Sequence, residues 1–187
     1  FLMNDLGGRD LFALSVNNNG VVAGYRRNPS GDARPFRTEA SMAIHNLPLA
    51  PYGSYAGAIG INDARQCVGY GDYFDGEYLV ERAIRWEAND TATVLGTLGG
   101  YNSYAYAINI LGQVVGEAET SSGAYHAFRS RFGNVQLQDL GALEGVDSSA
   151  NGINPAGDVV GASYVEQGST YVPQKAFVFL GDGPIAA

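Results

Sequence analysis

Cysteine is almost absent from this chain of 187 residues, with Cys67 as the single example. One cysteine can form no disulfide within the chain and supplies no Cys-x-x-Cys zinc pattern. Because Cys67 stands in a short apolar segment, we expect a buried side chain that behaves as a small hydrophobe.

Basic residues are also scarce, since 11 Lys and Arg face 19 Asp and Glu and the formal net charge is −8. A nucleic-acid surface depends on Lys and Arg that meet phosphates, and a polybasic membrane patch depends on the same residues. We therefore expect neither a nucleic-acid partner nor binding to anionic lipid.

Long apolar runs and helical periodicity are both missing. No apolar run approaches the roughly 20 residues of a membrane-spanning helix, so we expect no membrane insertion. The 26 glycines and 12 tyrosines, with 45% hydrophobic and only 16% charged residues, indicate a globular all-β protein rich in tight turns. A chain of this length can form one domain with its own core.

One pattern occurs four times along the chain. It runs from a small residue through a β-branched residue to an asparagine, then to a short apolar segment that ends in glycine. The asparagines are 45, 47 and 45 residues apart, and they are Asn17, Asn62, Asn109 and Asn154. Self-similarity at this period predicts a repeat architecture.

Each copy predicts four antiparallel strands. Alternation before the asparagine indicates a first strand with one face kept small, as if another backbone lay close to it. The asparagine and the glycine three residues later suit a type I turn in a hairpin. Arg65 stands where the other copies have Gly20, Gly112 and Gly157, and it would be strained if this position needs a positive φ.

The two ends of the chain predict a closed ring. The last copy stops after its third strand, while residues 2–7 match the fourth-strand segment that ends at Gly141. We therefore predict one domain over residues 1–187, a four-bladed β-propeller closed by the N-terminal strand joining the last blade. The repeats span about 8–47, 48–96, 97–141, and 142–187 plus 1–7. A ring completed by a homodimer is the main alternative.

The repeated segments resemble the HAF-type extracellular repeat proteins of bacteria. The residues that carry the resemblance are His126-Ala127-Phe128, Asp139-Leu140-Gly141, Leu95-Gly96-Thr97-Leu98-Gly99-Gly100 and Ser149-Ala150-Asn151-Gly152-Ile153-Asn154. The chain departs from the pattern at Pro35-Phe36, Ala83-Ile84 and Arg65. The resemblance implies a propeller-like fold. It also implies export to the cell surface or to the outside of the cell. It implies no activity, so no catalytic residue is carried over.

The loops between second and third strands differ between copies and are the candidate binding sites. Exposed aromatic rings beside carboxylates suit sugar faces and hydroxyl groups, and they suit protein partners as well. The candidate ligand-binding residues are Tyr73, Phe74, Asp75, Tyr78 and Tyr171. An ordinary solvated loop remains open as an alternative.

The sequence gives less support for metal binding or catalysis in these loops. Asp72, Asp75 and Glu77 could hold calcium or act as acid and base on a polysaccharide, but their spacing matches no EF-hand loop. One basic position recurs in all copies, which favours a structural role over an anion-binding ring, and its residues are Arg34, Arg82, His126 and Lys175. We predict no catalytic residue, no metal and no cofactor.

The sequence thus predicts a non-enzymatic binding or adhesion module, exported, with a glycan or protein ligand on its loop faces. A polysaccharide-acting enzyme that uses loop carboxylates and a purely structural repeat domain that forms oligomers are the alternatives. Converging carboxylates in a cleft would favour the enzyme.

Overall fold

A computed structural model describes residues 10–131, 135–143, 146–167 and 170–180. Within these ranges the chain forms fifteen strands and no helix, and hence no helical segment that could cross a membrane. The predicted all-β class is confirmed.

The strands form four antiparallel sheets, each built from consecutive strands in chain order. Sheet 1 contains β1 (Leu11–Val16), β2 (Val22–Arg27), β3 (Ala33–Thr38) and β4 (Ile44–Asn46). Sheet 2 contains β5 (Ala56–Ile61), β6 (Cys67–Phe74), β7 (Leu79–Trp86) and β8 (Ala92–Val94). Sheet 3 contains β9 (Gly99–Ile108), β10 (Val114–Thr120), β11 (Tyr125–Ser130) and β12 (Leu137–Gly141). Sheet 4 contains β13 (Asp147–Ile153), β14 (Val159–Gln167) and β15 (Thr170–Phe179).

Sheet 4 has three strands within the described ranges, in the order β13, β14, β15. The segment that the sequence predicts as its fourth strand, residues 2–7, lies outside the described residues. Closure of the ring through that strand therefore stays a prediction.

The turn after each first strand is built as the asparagine pattern predicts. The Asn17 carbonyl accepts from the Gly20 amide at 3.1 Å, and its side-chain oxygen accepts from the Asn19 amide at 3.0 Å. The fourth turn residue has a positive φ in every copy, including Arg65 at 63°. The strained conformation expected for Arg65 is confirmed.

A bulge interrupts every first strand, so the simple alternation expected there is wrong. In sheet 2 the pairing steps from Ala58–Gly69 to Gly60–Val68 and leaves Ile59 as the extra residue. The bulge brings the Gly57 carbonyl to within 1.8 Å of where a side chain on Gly69 would begin. A glycine is needed at this position for that reason, and the other sheets have the same close approach at Gly24, Gly116 and Gly161.

The hydrophobic core lies between neighbouring sheets as three clusters. Cys67, Ile84 and Trp86 of sheet 2 pack against sheet 1, and the Trp86 Nε1 donates to the Pro48 carbonyl at 2.7 Å. Further clusters join sheet 2 to sheet 3 and sheet 3 to sheet 4. Cys67 is fully buried, as the sequence predicts, and this burial raises the pKa of its thiol to about 12.

The turn asparagines also tie each sheet to the next. The side-chain amide of Asn17 donates to the Asn62 carbonyl at 3.0 Å, Asn62 donates to Asn109 at 2.8 Å, and Asn109 donates to Asn154 at 3.0 Å. We call this row the asparagine ladder. It links sheets 1 to 4 in chain order, so one residue type both forms the turn and positions the neighbouring sheet.

A buried arginine adds a second tie. Arg37 of sheet 1 reaches the Arg65 carbonyl in the turn of sheet 2 at 3.2 Å. Arg129 of sheet 3 reaches the Gly157 carbonyl in the turn of sheet 4 at 2.9 Å. These arginines follow the basic position noted in the sequence by three residues, and their role was not predicted.

A serine supplies a third tie where the preceding sheet presents an amide hydrogen. The Ala83 amide donates to the Ser103 hydroxyl at 3.0 Å, and the Ala127 amide donates to the Ser148 hydroxyl at 2.7 Å. At the contact between sheets 1 and 2 the corresponding residues are Pro35, which has no amide hydrogen, and Ala56. Each first strand thus carries an acceptor only where the sheet before it carries a donor.

Candidate functional site

Exposed hydrophobic side chains gather at the β6–β7 hairpin of sheet 2 and the neighbouring edge of sheet 3. Two open hollows meet there at Leu79, one of about 640 Å³ and one of about 400 Å³. We call this region the aromatic surface, and its residues are Tyr52, Phe74, Tyr78, Leu79 and Tyr101. Hydrophobic side chains that share exposed hollows are typical of interaction sites rather than of scattered surface residues.

The rings of the aromatic surface are held in two edge-to-face pairs. The Tyr52 and Phe74 centroids are 6.3 Å apart at an interplanar angle of 81°. The Tyr78 and Tyr101 centroids are 5.9 Å apart at 86°. Edge-to-face pairing stabilises the ring positions without removing the rings from solvent.

The structure brings three of the five predicted site residues together. Phe74, Asp75 and Tyr78 lie in the β6–β7 hairpin, and each lines one of the two hollows. Tyr73 lies beside them but packs against the core between sheets 1 and 2. Tyr171 lies on β15 of sheet 4, paired with Glu166, and so belongs to a different hairpin.

Three members of the aromatic surface were missed from the sequence. Leu79 is an aliphatic residue that was not considered, and Tyr101 and Tyr52 lie outside the loops between second and third strands. Glu119 holds the Tyr101 segment in place, because its Oε2 accepts from the Tyr101 and Asn102 amides at 3.0 Å each.

Tyr52 stands in a strained backbone conformation. Its φ is 61°, and the Gly53 amide donates to the Ala50 carbonyl at 2.9 Å across Pro51 and Tyr52. This is a type II turn, in which glycine is favoured at the position that Tyr52 occupies. A tyrosine there costs about 1 kcal/mol or more relative to glycine, while its side chain remains 85% exposed. Folding gains little from this ring.

The loop carboxylates serve separate structural roles. Asp72 is buried, and its Oδ1 accepts from the Ser54 and Tyr55 amides at 2.6 and 2.8 Å while its Oδ2 accepts from the Ser54 hydroxyl at 2.5 Å. Asp75 accepts from the Glu77 and Tyr78 amides at 2.9 and 2.8 Å, which lowers the pKa of its carboxyl. Asp72 therefore positions the loop that carries Tyr52, and Asp75 closes its own turn.

A tyrosine network supports the aromatic surface from beneath. The Glu81 carboxylate accepts from the Tyr55 hydroxyl and, at 2.5 Å, from the Tyr104 hydroxyl. Burial first, and these hydrogen bonds second, raise the pKa of both phenols. The contacts join sheet 2 to sheet 3 and keep the two halves of the aromatic surface in register.

A second groove lies between sheets 3 and 4. Glu117, Tyr125, Asp147 and Tyr164 line it. Burial raises the pKa of the Glu117 carboxyl, although hydrogen bonds from Tyr106 and Ser149 partly oppose that shift. Asp147 accepts from the Tyr125 amide at 2.7 Å and so serves the contact between the sheets.

The recurring basic position makes different contacts in different sheets. Arg34 donates to the Ser54 carbonyl in the chain that leads to sheet 2, while His126 pairs with Asp139 of its own sheet at 3.0 Å. These contacts fit the structural interpretation of the position. Among the described residues no group of three or more His, Cys, Asp or Glu side chains is placed to hold a metal ion.

Comparison with protein-family models, with curated proteins and with solved structures finds no match to this chain. The geometry of the molecule is therefore the main guide to what it does.

Proposed function

We propose that the protein is a non-enzymatic binding module whose ligand, a glycan or a protein, is held on the aromatic surface. The observation that carries this proposal is the exposed, strained Tyr52 at the rim of the surface. Backbone strain at an exposed position that contributes little to packing is typical of ligand-binding sites. Tyrosine is also among the residues that contribute most to binding interfaces.

The composition of the surface fits either class of ligand. Phe74 and Leu79 offer apolar area, and the phenols of Tyr52 and Tyr101 offer hydrogen-bonding groups at its edge. The resemblance to HAF-type repeat proteins supports a location at the cell surface or outside the cell. A module that displays aromatic rings on ordered loops suits adhesion in that setting.

We also propose that the four sheets are consecutive blades of a β-propeller, which has four blades if one chain closes the ring. Successive sheets pack in chain order, and the asparagine ladder ties each sheet to the next, which supports a blade-like arrangement. One chain closes this ring if residues 1–7 pair with β15 and the face of sheet 1 meets the face of sheet 4.

An array of glycans and a displayed peptide library, each probed with the purified protein, would identify the ligand class. We expect Tyr52→Gly and Phe74→Ser to weaken binding of the captured ligand by about tenfold or more, as interface aromatic residues do. Tyr52→Gly should at the same time keep or raise the melting temperature, because glycine relieves the turn.

Phe12→Ser is the matched control, because Phe12 is exposed to nearly the same degree as Phe74 but lies on sheet 1. Its binding should equal that of the unaltered protein. The proposal is wrong if Tyr52→Gly and Phe74→Ser bind normally, if Phe12→Ser weakens binding equally, or if neither library yields a ligand.

A further inference from the structure

Sheets 2 and 3 each have one face toward the preceding sheet and one toward the following sheet. The first strand of each later sheet packs against the sheet before it: β5 lies against sheet 1, β9 against sheet 2 and β13 against sheet 3. Three contacts of the same kind therefore occur along the chain, and each buries one face of either neighbour.

Within the described ranges, little covers the face of sheet 1 that corresponds to these buried first strands. Val16 is 64% exposed, whereas Ile61 and Ile108 at the same position are 8% and 9% exposed. Ala13 is exposed too, whereas the corresponding Ala58 is fully buried. We call this the leading face, formed by Leu11, Ala13 and Val16.

The described residues leave the opposite end of the series exposed in the same way. Val160 of sheet 4 is 49% exposed, whereas Val68 and Val115 at the same position are fully buried against the next sheet. Val178 is 64% exposed. We call this the trailing face, formed by Val160, Ala176 and Val178.

The trailing face is also more apolar than its counterparts. Val178 occupies the position at which Arg37 and Arg129 reach into the turn of the following sheet. Leu11 likewise occupies the position of Ser103 and Ser148, which accept an amide hydrogen from the preceding sheet. Aliphatic side chains thus replace the arginine on the trailing face and the serine on the leading face.

We infer that the leading face is a docking site for the trailing face of a second copy of this chain. The contact continues the series of three contacts already present between sheets, and aliphatic area meets aliphatic area in it. Such a contact is heterologous, and two copies close it into a ring with two equivalent seams. The inference rests on the proposal that the sheets are propeller blades, and closure within one chain is the competing use of the same faces.

Light scattering on a dilution series tests the inference. We expect a dimer that Val16→Asp and Val178→Asp each convert to monomer, with dissociation constants raised about tenfold or more because each variant puts a charge into an apolar seam. Leu79→Asp is the matched control, since Leu79 is equally exposed but lies on the aromatic surface, and it should leave the dimer intact.

Mixing the two variants sharpens the test. A Val16→Asp chain keeps a normal trailing face and a Val178→Asp chain keeps a normal leading face, so the mixture should recover one intact seam and dimerise more tightly than either variant alone. A dimer dissolved by Leu79→Asp, or a mixture no tighter than its components, would overturn the inference.

The remaining outcomes separate this inference from the proposed ring. A monomer at all concentrations whose melting temperature falls in both aspartate variants would show closure within one chain and overturn the second copy. A monomer with unchanged melting temperatures would overturn closure of either kind while leaving the aromatic surface as the binding site.

Discussion

Arg65 shows how a single residue can depart from the needs of its own turn. Its φ of 63° suits glycine, which stands at the same place in the other three turns. In return, its side chain pairs with Glu39 at 2.9 Å, and its carbonyl accepts from Arg37. A surface ion pair contributes about 0–1 kcal/mol, which is similar to the backbone strain it accompanies.

We predict that Arg65→Gly is more stable than Arg65→Ala by about 1 kcal/mol. Both variants lose the ion pair with Glu39, but only glycine relieves the positive φ. Chemical denaturation of the two variants measures the difference directly. Equal stability would mean that the turn relaxes around alanine.

Glu117 leads to a prediction about pH. Its pKa is raised by burial, so the folded protein binds this proton more tightly than the unfolded chain does. The stabilisation is fully present below the unfolded pKa and is lost as the pH rises through the folded pKa. Glu117→Gln should therefore raise the melting temperature at pH 7 and change it little at pH 4. A variant that melts lower at pH 7 would indicate that the charged form is stabilised.

At the level of elements, the bulged hairpin is the unit that the four sheets share. The sequence shows a glycine at the end of each short apolar segment. It does not show why glycine is needed there. The close approach of the Gly57 carbonyl to Gly69 arises from the bulge at Ile59, and no residue type in the sequence marks that bulge. The register of a strand pair depends on the residues of both strands. The alternation of residue types describes only one of them.

We predict that Gly69→Ala destabilises the protein by about 1–3 kcal/mol or more, the cost of overpacking a rigid site. Gly57→Ala is the matched control, because a side chain there would meet Tyr25 and Ile59 at ordinary distances of 3.6 and 3.8 Å. Its stability should change little. Comparable losses in the two variants would show that the bulge tolerates the added methyl group.

For the whole molecule, the sequence predicted the all-β class and the positions of the turns. The asparagine spacing and the apolar segments were enough for that, since both are local signals. The ties between sheets were not predictable in the same way, because Arg37 and Ser148 act on residues in other sheets. Two of the five residues of the aromatic surface, Phe74 and Tyr78, were predicted because they lie in one hairpin, while Tyr52 and Tyr101 reach that hairpin only in the fold.

The three clusters share sheets, so we predict that the molecule unfolds as one unit. Ser148→Ala removes the acceptor for the buried Ala127 amide between sheets 3 and 4 and should cost about 1–3 kcal/mol. The single tryptophan, Trp86, lies at the distant contact between sheets 1 and 2. Its fluorescence midpoint in denaturant should shift as far as the circular dichroism midpoint. An unchanged tryptophan transition would reveal two independent units.

The matched serines and proline mean that the sheets are not interchangeable modules. Ala56 follows Pro35, and Ser103 and Ser148 follow residues that carry an amide hydrogen. A chimera that moved sheet 2 to follow sheet 3 would place Ala56 opposite Ala127. The buried Ala127 amide would then have no acceptor. The chain thus encodes the order of its own sheets in pairs of residues that must be transplanted together.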